Sequence, residues 1–140
     1  MKKLITTIIL LLALALPDFA TNWVELGDSY YIDIDSIAHI EDYYFQNKNL
    51  YRYWYWAPCT VMCDFLEEKV SHYVREFAVD CSNNNLMFLT AYAYSSNNNI
   101  IKTYREPRAY NPLNFESLPP NSMGQYMANF VCSYVKSQDK

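Results

Sequence analysis

Hydrophobic positions along this 140-residue chain follow three different rhythms. The first is a continuous apolar run from Leu4 to Leu16, interrupted only by Thr6 and Thr7 and preceded by Lys2 and Lys3. The second is a series of short, β-rich segments with side chains alternating in character. Trp23 to Leu26 and Tyr30 to Ile34 are expected to pair across Gly27-Asp28-Ser29, and Asp35-Ser36-Ile37 reads as a turn. A strand near Ile40 to Phe45 and the aromatic run Leu50 to Ala57 follow. The segments Lys69 to Cys81, Leu86 to Ser95 and Ile100 to Arg105 then form an antiparallel meander, because Ser82-Asn83-Asn84-Asn85 and Ser96-Asn97-Asn98-Asn99 both suit hairpin tips. Asn111 to Pro120 reads as a connecting loop.

The third rhythm is helical. Pro119 and Pro120 stop the chain, Ser122 is placed to cap the amide of Gln125, and Gln125 is placed to return the bond. Met123, Tyr126, Met127, Phe130, Val131 and Tyr134 then recur at helical spacing. The expected architecture is α+β, an antiparallel sheet of about five or six strands with one C-terminal helix on one face. In Leu86 to Ser95 one side carries Met87, Leu89, Ala91 and Ala93 and the other Phe88, Thr90, Tyr92 and Tyr94. The alanine side is the one expected to meet the helix, which leaves the tyrosine side bare. The stripe places Cys132 on roughly the opposite side of the helix, so a bond to Cys81 requires either unwinding near Val131 or attachment at the helix's outer edge.

Composition adds a compartment. The apolar run has 13 residues, short of the about 20 that span a bilayer, and with its basic start it reads as a signal peptide over residues 1–20. Cleavage is expected near Ala20, with Ala15 as the alternative, leaving 21–140 as a single domain with no stable membrane span. That removes Lys2, Lys3 and Asp18 and leaves 9 basic and 14 acidic residues, a net charge of −5. Nucleic acid is a poor partner for such a chain, because its binding rests on clustered Lys and Arg. Gly27 and Gly124 are its two glycines, too few for a glycine-rich phosphate loop. The four cysteines, Cys59, Cys63, Cys81 and Cys132, all lie in the exported part and read as two disulfides rather than a zinc site. Of the three possible pairings, Cys81 with Cys132 and Cys59 with Cys63 is favoured, since the first pair flanks defined elements and the second follows Pro58 in a turn-like stretch.

Several short elements in order carry a family resemblance. They are Asn22-Trp23-Val24, Tyr30-Tyr31-Ile32-Asp33, Asp35-Ser36-Ile37, the strand around Trp54, Asp80-Cys81, and Pro120-Asn121-Ser122-Met123-Gly124 leading to Phe130-Val131-Cys132. Together they resemble the surface-adhesin protein E family of bacterial exported proteins. The resemblance implies one antiparallel sheet with a helix near its C-terminus, a Cys81–Cys132 bond, and adhesion to host matrix proteins. The chain departs from it in lacking a lipid-attachment cysteine and in adding Cys59 and Cys63.

The candidate chemistry follows from the aromatic residues. Tyr51, Tyr53 and Tyr55 alternate with Arg52, Trp54 and Trp56, and with Tyr92 and Tyr94 these tyrosines are the partner-binding candidates, for another protein or a second copy of the chain. The competing account is that they are cross-strand pairs that stabilise the sheet. Asp33, Asp35, Glu41 and Asp42 could suggest acid/base or calcium chemistry, but their turn-like setting argues for solvated carboxylates. His39 and His72 are the only imidazoles, and His72 alternates with Val70 and Val74 as a sheet residue does. Neither a catalytic residue, a metal site nor a cofactor is expected. The leading reading is a non-enzymatic exported binding protein. The alternatives are a small periplasmic thiol-redox factor or enzyme centred on Cys59 and Cys63, and a periplasmic small-ligand module.

Overall fold

The computed structural model describes residues 22–41, 49–60, 63–65, 68–107 and 115–139. The expected leader with its cleavage positions, Asp42 and the Asp42 to Phe45 part of the expected third strand lie outside them. Strands β1 (Trp23–Gly27), β2 (Tyr30–His39), β3 (Leu50–Pro58), β6 (His72–Asp80), β7 (Asn85–Tyr94) and β8 (Ile100–Arg105) form one antiparallel sheet in that order. A short β9 (Glu116–Ser117) adds to the edge of β7 beside Asn85 and Leu86. Between β3 and β6, β4 (Asp64–Phe65) and β5 (Glu68–Lys69) form a separate small hairpin. Helix α1 (Met123–Gln138) packs on one face of the main sheet. The expected α+β architecture is the one observed.

The turn chemistry explains the connections. Asp28 and Ser29 join β1 to β2 with φ of 50° and 64°, as a two-residue turn matched to the strand twist requires. Gly27 just before them has φ of 118°, a conformation that a side chain would strain. Asn84 and Asn98, with φ of 57° and 60°, occupy the left-handed positions of the two asparagine tips. The first tip is also held by Asp80, whose carboxylate accepts from the Ser82 amide at 2.9 Å and the Asn83 side chain at 2.7 Å.

Asp35-Ser36-Ile37 does not end the strand. The same local hydrogen bonding makes a bulge inside β2, where positions 33 to 38 oppose only 54 to 52 of β3. Ser36 Oγ donates to the Asp33 carbonyl at 2.6 Å and accepts from the Trp54 amide at 2.8 Å, so the turn residues supply the ladder bond that the bulge interrupts. β9 lies within the expected 111–120 loop, since two residues between prolines carry no alternation that marks a strand.

A second irregularity corrects the face assignment of β7. The β6–β7 register shifts between Glu76 and Phe77, leaving Leu89 as the extra residue. Leu86 and Phe88 therefore point to the helix side with Phe77, Val79, Met127, Ala128 and Val131. Met87 and Leu89 instead join Ile40, Leu50, Ala78 and Phe115 in an apolar cluster on the opposite face. Beyond the bulge the parity returns, and Ala91 and Ala93 share the helix side with Arg75 and Tyr73, their partners in register. Tyr92 and Tyr94 lie on the face that the helix leaves bare, as the alternation predicts.

The helix is rotated from its expected stripe. Its buried residues are Met127, Ala128 and Val131, whereas Tyr126 is 54% exposed. Small residues explain the rotation, since Gly124 and Ala128 let the backbone come close. A Cβ on Gly124 would stand 3.0 Å from Leu118 Cδ2 and 3.5 Å from Leu86 Cδ1. The rotation also settles the position of Cys132, which at about 100° per residue lies only about 40° beyond Ala128. The helix continues to Gln138 without unwinding, and Cys132 reaches Cys81 from its flank with a Cα–Cα separation of 5.6 Å. At the other end, Ser122 Oγ accepts from the Gln125 amide at 3.2 Å, and Gln125 Oε1 accepts from the amide of Asn121 at 2.9 Å, one residue before the cap.

Candidate binding face

The bare face of the sheet carries an aromatic ladder built by register. Tyr31, Trp56, His72 and Tyr94 come from four successive strands of the sheet, β2, β3, β6 and β7. Tyr31 meets Trp56 edge-on at 5.5 Å, Trp56 stacks on His72 at 5.2 Å, and His72 stacks on Tyr94 at 4.9 Å with only 4° between planes. Trp54 and Tyr92 form a second stack at 5.8 Å above β6. All six rings are half-buried.

The spacing decides what such a surface offers. Ring separations close to the about 4.8 Å between strands mean that the stacked rings stand off the sheet and seal each other's faces. Their edges point outward, carrying the positive rim of the ring quadrupole together with indole N–H and hydroxyl groups. Each stacked pair also contributes about 0.5–1.5 kcal/mol beyond its buried area, so the ladder stabilises the sheet as well as shaping its surface.

Polar groups frame the rings. Arg52 and Glu76 approach to 4.0 Å, and burial raises the Glu76 pKa against the opposing pull of Arg52 and Arg105. Desolvation lowers the pKa of His72, which favours a neutral ring between Trp56 and Tyr94.

The five tyrosine candidates divide between the two faces. Tyr92 and Tyr94 lie in the bare face, whereas Tyr51, Tyr53 and Tyr55 point to the helix side and pack into the core there. Tyr53 has no exposed surface and Tyr55 only 5%, so neither is available to a partner in the folded chain. Burial raises the Tyr53 phenol pKa, and its hydroxyl has no hydrogen-bond partner among the described residues. Burial also raises Tyr55, but its hydroxyl accepts from Arg75 Nη1 at 2.8 Å, and that guanidinium lies 4.5 Å over the Tyr73 ring. Trp54, Trp56, Tyr31 and His72, not nominated from sequence, take the place of the buried tyrosines. The period of two in β3 already separates Tyr51, Tyr53 and Tyr55 from Trp54 and Trp56. Which set stays exposed depends on where the helix docks.

The other candidates have structural occupations. Asp33 is buried, and its Oδ1 accepts from the Asp35 amide at 3.2 Å inside the bulge, while Asp35 and Glu41 are exposed. No group of metal-ligating residues occurs among the described residues. His39 packs edge-on against Tyr51 at 5.3 Å. Cys59 is bonded to Cys63 and Cys81 to Cys132, the favoured pairing, with no free thiol among the described residues. No helix among the described residues is long and apolar enough to cross a membrane.

Comparison with known proteins adds to this geometry. The family model described as surface-adhesin protein E matches residues 23–133. The fold is similar to that of Haemophilus influenzae protein E in crystal form II, at TM-score 0.57 and 14% identity over 84% of this chain and 91% of that one. Another H. influenzae protein E structure aligns at TM-score 0.55 and 14% identity over 84% of this chain and 88% of that one. Protein E from non-typeable H. influenzae aligns at TM-score 0.55 and 13% identity over 87% of this chain and 82% of that one. Among curated proteins, none matches the chain by sequence.

Proposed function

Because the chain belongs to the surface-adhesin protein E family, we propose that residues 21–140 are an exported, non-enzymatic, adhesin-like domain that meets a protein partner through its bare aromatic face. The observation that carries this reading is the ladder of Tyr31, Trp56, His72 and Tyr94 with the Trp54–Tyr92 stack beside it, half-exposed on the side away from the helix. Upright rings favour a polypeptide over a ligand that must stack face-on. Backbone carbonyls and carboxylates of a partner can meet the positive ring edges, while its apolar side chains pack along the rows. A second copy of the chain satisfies the same requirement, so self-association is the other outcome to be read.

The test is capture of immobilised host matrix proteins by the oxidised domain, run beside sedimentation of the free protein. Tyr92→Ser with Tyr94→Ser is expected to abolish capture, self-association or both while the domain remains folded. Unchanged capture and unchanged oligomeric state in that variant would refute the assignment and leave the ladder a stabilising device.

A further inference from the structure

A second candidate site lies on the helix side of the sheet, and its chemistry is polar. A crevice of about 590 Å³ opens between the segment leading into β3, the β6–β7 tip and the C-terminal half of α1. That volume falls within the about 300–1,000 Å³ of small-molecule sites. Asn49 lines it from just before β3, Tyr51 from β3, Asn84 from the tip, and Asn129 and Ser133 from the helix. The Cys81–Cys132 bond forms part of its wall.

Three features make this more than a surface irregularity. The disulfide ties the tip to the helix, so the walls carrying Asn84 and Asn129 keep a fixed spacing before any ligand arrives. Asn129 and Ser133 stand one helical turn apart and present an amide and a hydroxyl side by side. The side chains of Asn84, Asn129 and Ser133 make no hydrogen bond to any described residue, which leaves two amides and a hydroxyl without a protein partner among those residues in the lining of one concavity. Each amide offers a donor and an acceptor together, the pattern that adjacent hydroxyl groups complete. Tyr51, half-buried at the crevice, supplies an apolar ring surface beside them. Lys136 and Asp139 bring one charge of each sign, so the lining has no net preference for an ion.

We propose that this crevice binds a neutral, hydroxyl-rich ligand, a short oligosaccharide, held by Asn84, Asn129 and Ser133 against the Tyr51 ring. The site is separate from the aromatic face and does not depend on the function assigned to it. An amide-resolved NMR titration of the oxidised domain tests it, using the trisaccharides of β-linked N-acetylglucosamine, β-linked galactose and α-linked mannose. Each is taken to about 10 mM so that dissociation constants near about 1 mM are read. Shifts concentrated at Tyr51, Asn84, Asn129 and Ser133 with at least one sugar are expected. Asn129→Ala with Ser133→Ala should weaken that binding about tenfold, the loss of two hydrogen bonds, without lowering the unfolding midpoint. No shift with any of the three sugars, shifts mapping to the aromatic ladder, or undiminished affinity in the double variant would each overturn the proposal.

Discussion

Tyr53 offers a sharp test of the packing argument, because its ring and its hydroxyl pull in opposite directions. The residue is fully buried beneath the helix, and its ring stacks on Phe77 at 6.3 Å with 23° between planes. Its hydroxyl has no hydrogen-bond partner among the described residues. A buried polar group left unsatisfied costs about 1–3 kcal/mol, so Tyr53→Phe removes that cost and retains the ring contacts. Part of the gain is offset by the small void left where the oxygen stood, at about 24 cal/mol per Å³. A net stabilisation of about 1 kcal/mol is the expected outcome. For a domain of this size that raises the thermal midpoint by about 3–6 °C. Urea unfolding of the oxidised protein, followed by tryptophan fluorescence, measures it as a higher midpoint at unchanged slope. Tyr53→Ala serves as the control for the ring and should cost about 3–5 kcal/mol, as large-to-small changes in cores do. If Tyr53→Phe lowers stability by 1 kcal/mol or more, the hydroxyl is hydrogen-bonded and the reasoning fails, since ~1 kcal/mol is what one satisfied bond contributes.

Other predictions are briefer. Replacing Cys81 and Cys132 together by Ala, positions 51 apart, should cost about 4 kcal/mol in the chain-entropy account, against about 2 for Cys59 and Cys63, positions 4 apart, read by denaturant midpoints of the two double variants. His72 has its native pKa lowered from the ordinary 6.5, so the unfolded chain binds the proton first. Its contribution is complete above pH 6.5 and is lost as pH falls through the native value. In His72→Gln that part of the pH dependence of stability should disappear. Glu76 has the opposite linkage, because its native pKa is raised from 4.5. Its contribution is present below 4.5 and lost as pH rises through the native value, so Glu76→Gln should gain stability relative to the parent at neutral pH, read as a higher denaturant midpoint. Ser36→Ala removes the acceptor for the Trp54 amide in the β2 bulge and should cost about 1–3 kcal/mol by the same denaturation assay.

Local chemistry was legible where it acts over a few residues. The asparagine tips, the Asp28-Ser29 turn, the helix start at Ser122 and the alternation that puts Tyr92 and Tyr94 on one side of β7 all depend on backbone preferences or period. The disulfide pairing was favoured from the placement of the cysteines beside those elements. What the sequence could not supply was the effect of an extra residue inside a strand. Leu89 at the β7 bulge reverses parity between Met87 and Ala91, and Asp35-Ser36-Ile37 keeps its turn chemistry while the strand continues past it. A bulge is chosen by the partner strand's register, which local preference does not encode.

The sequence by itself determined the class of the main elements, their order and an aromatic content too large to bury entirely beneath one helix. Tertiary structure decided which aromatic residues became surface. Tyr53 and Trp54 are adjacent, large and aromatic, yet one is sealed and the other lies half-exposed. The difference arises because Gly124 and Ala128 let the helix approach the Leu86 and Val79 side of the sheet. Successive strand residues face opposite ways, so docking on one side necessarily leaves the tryptophan side open.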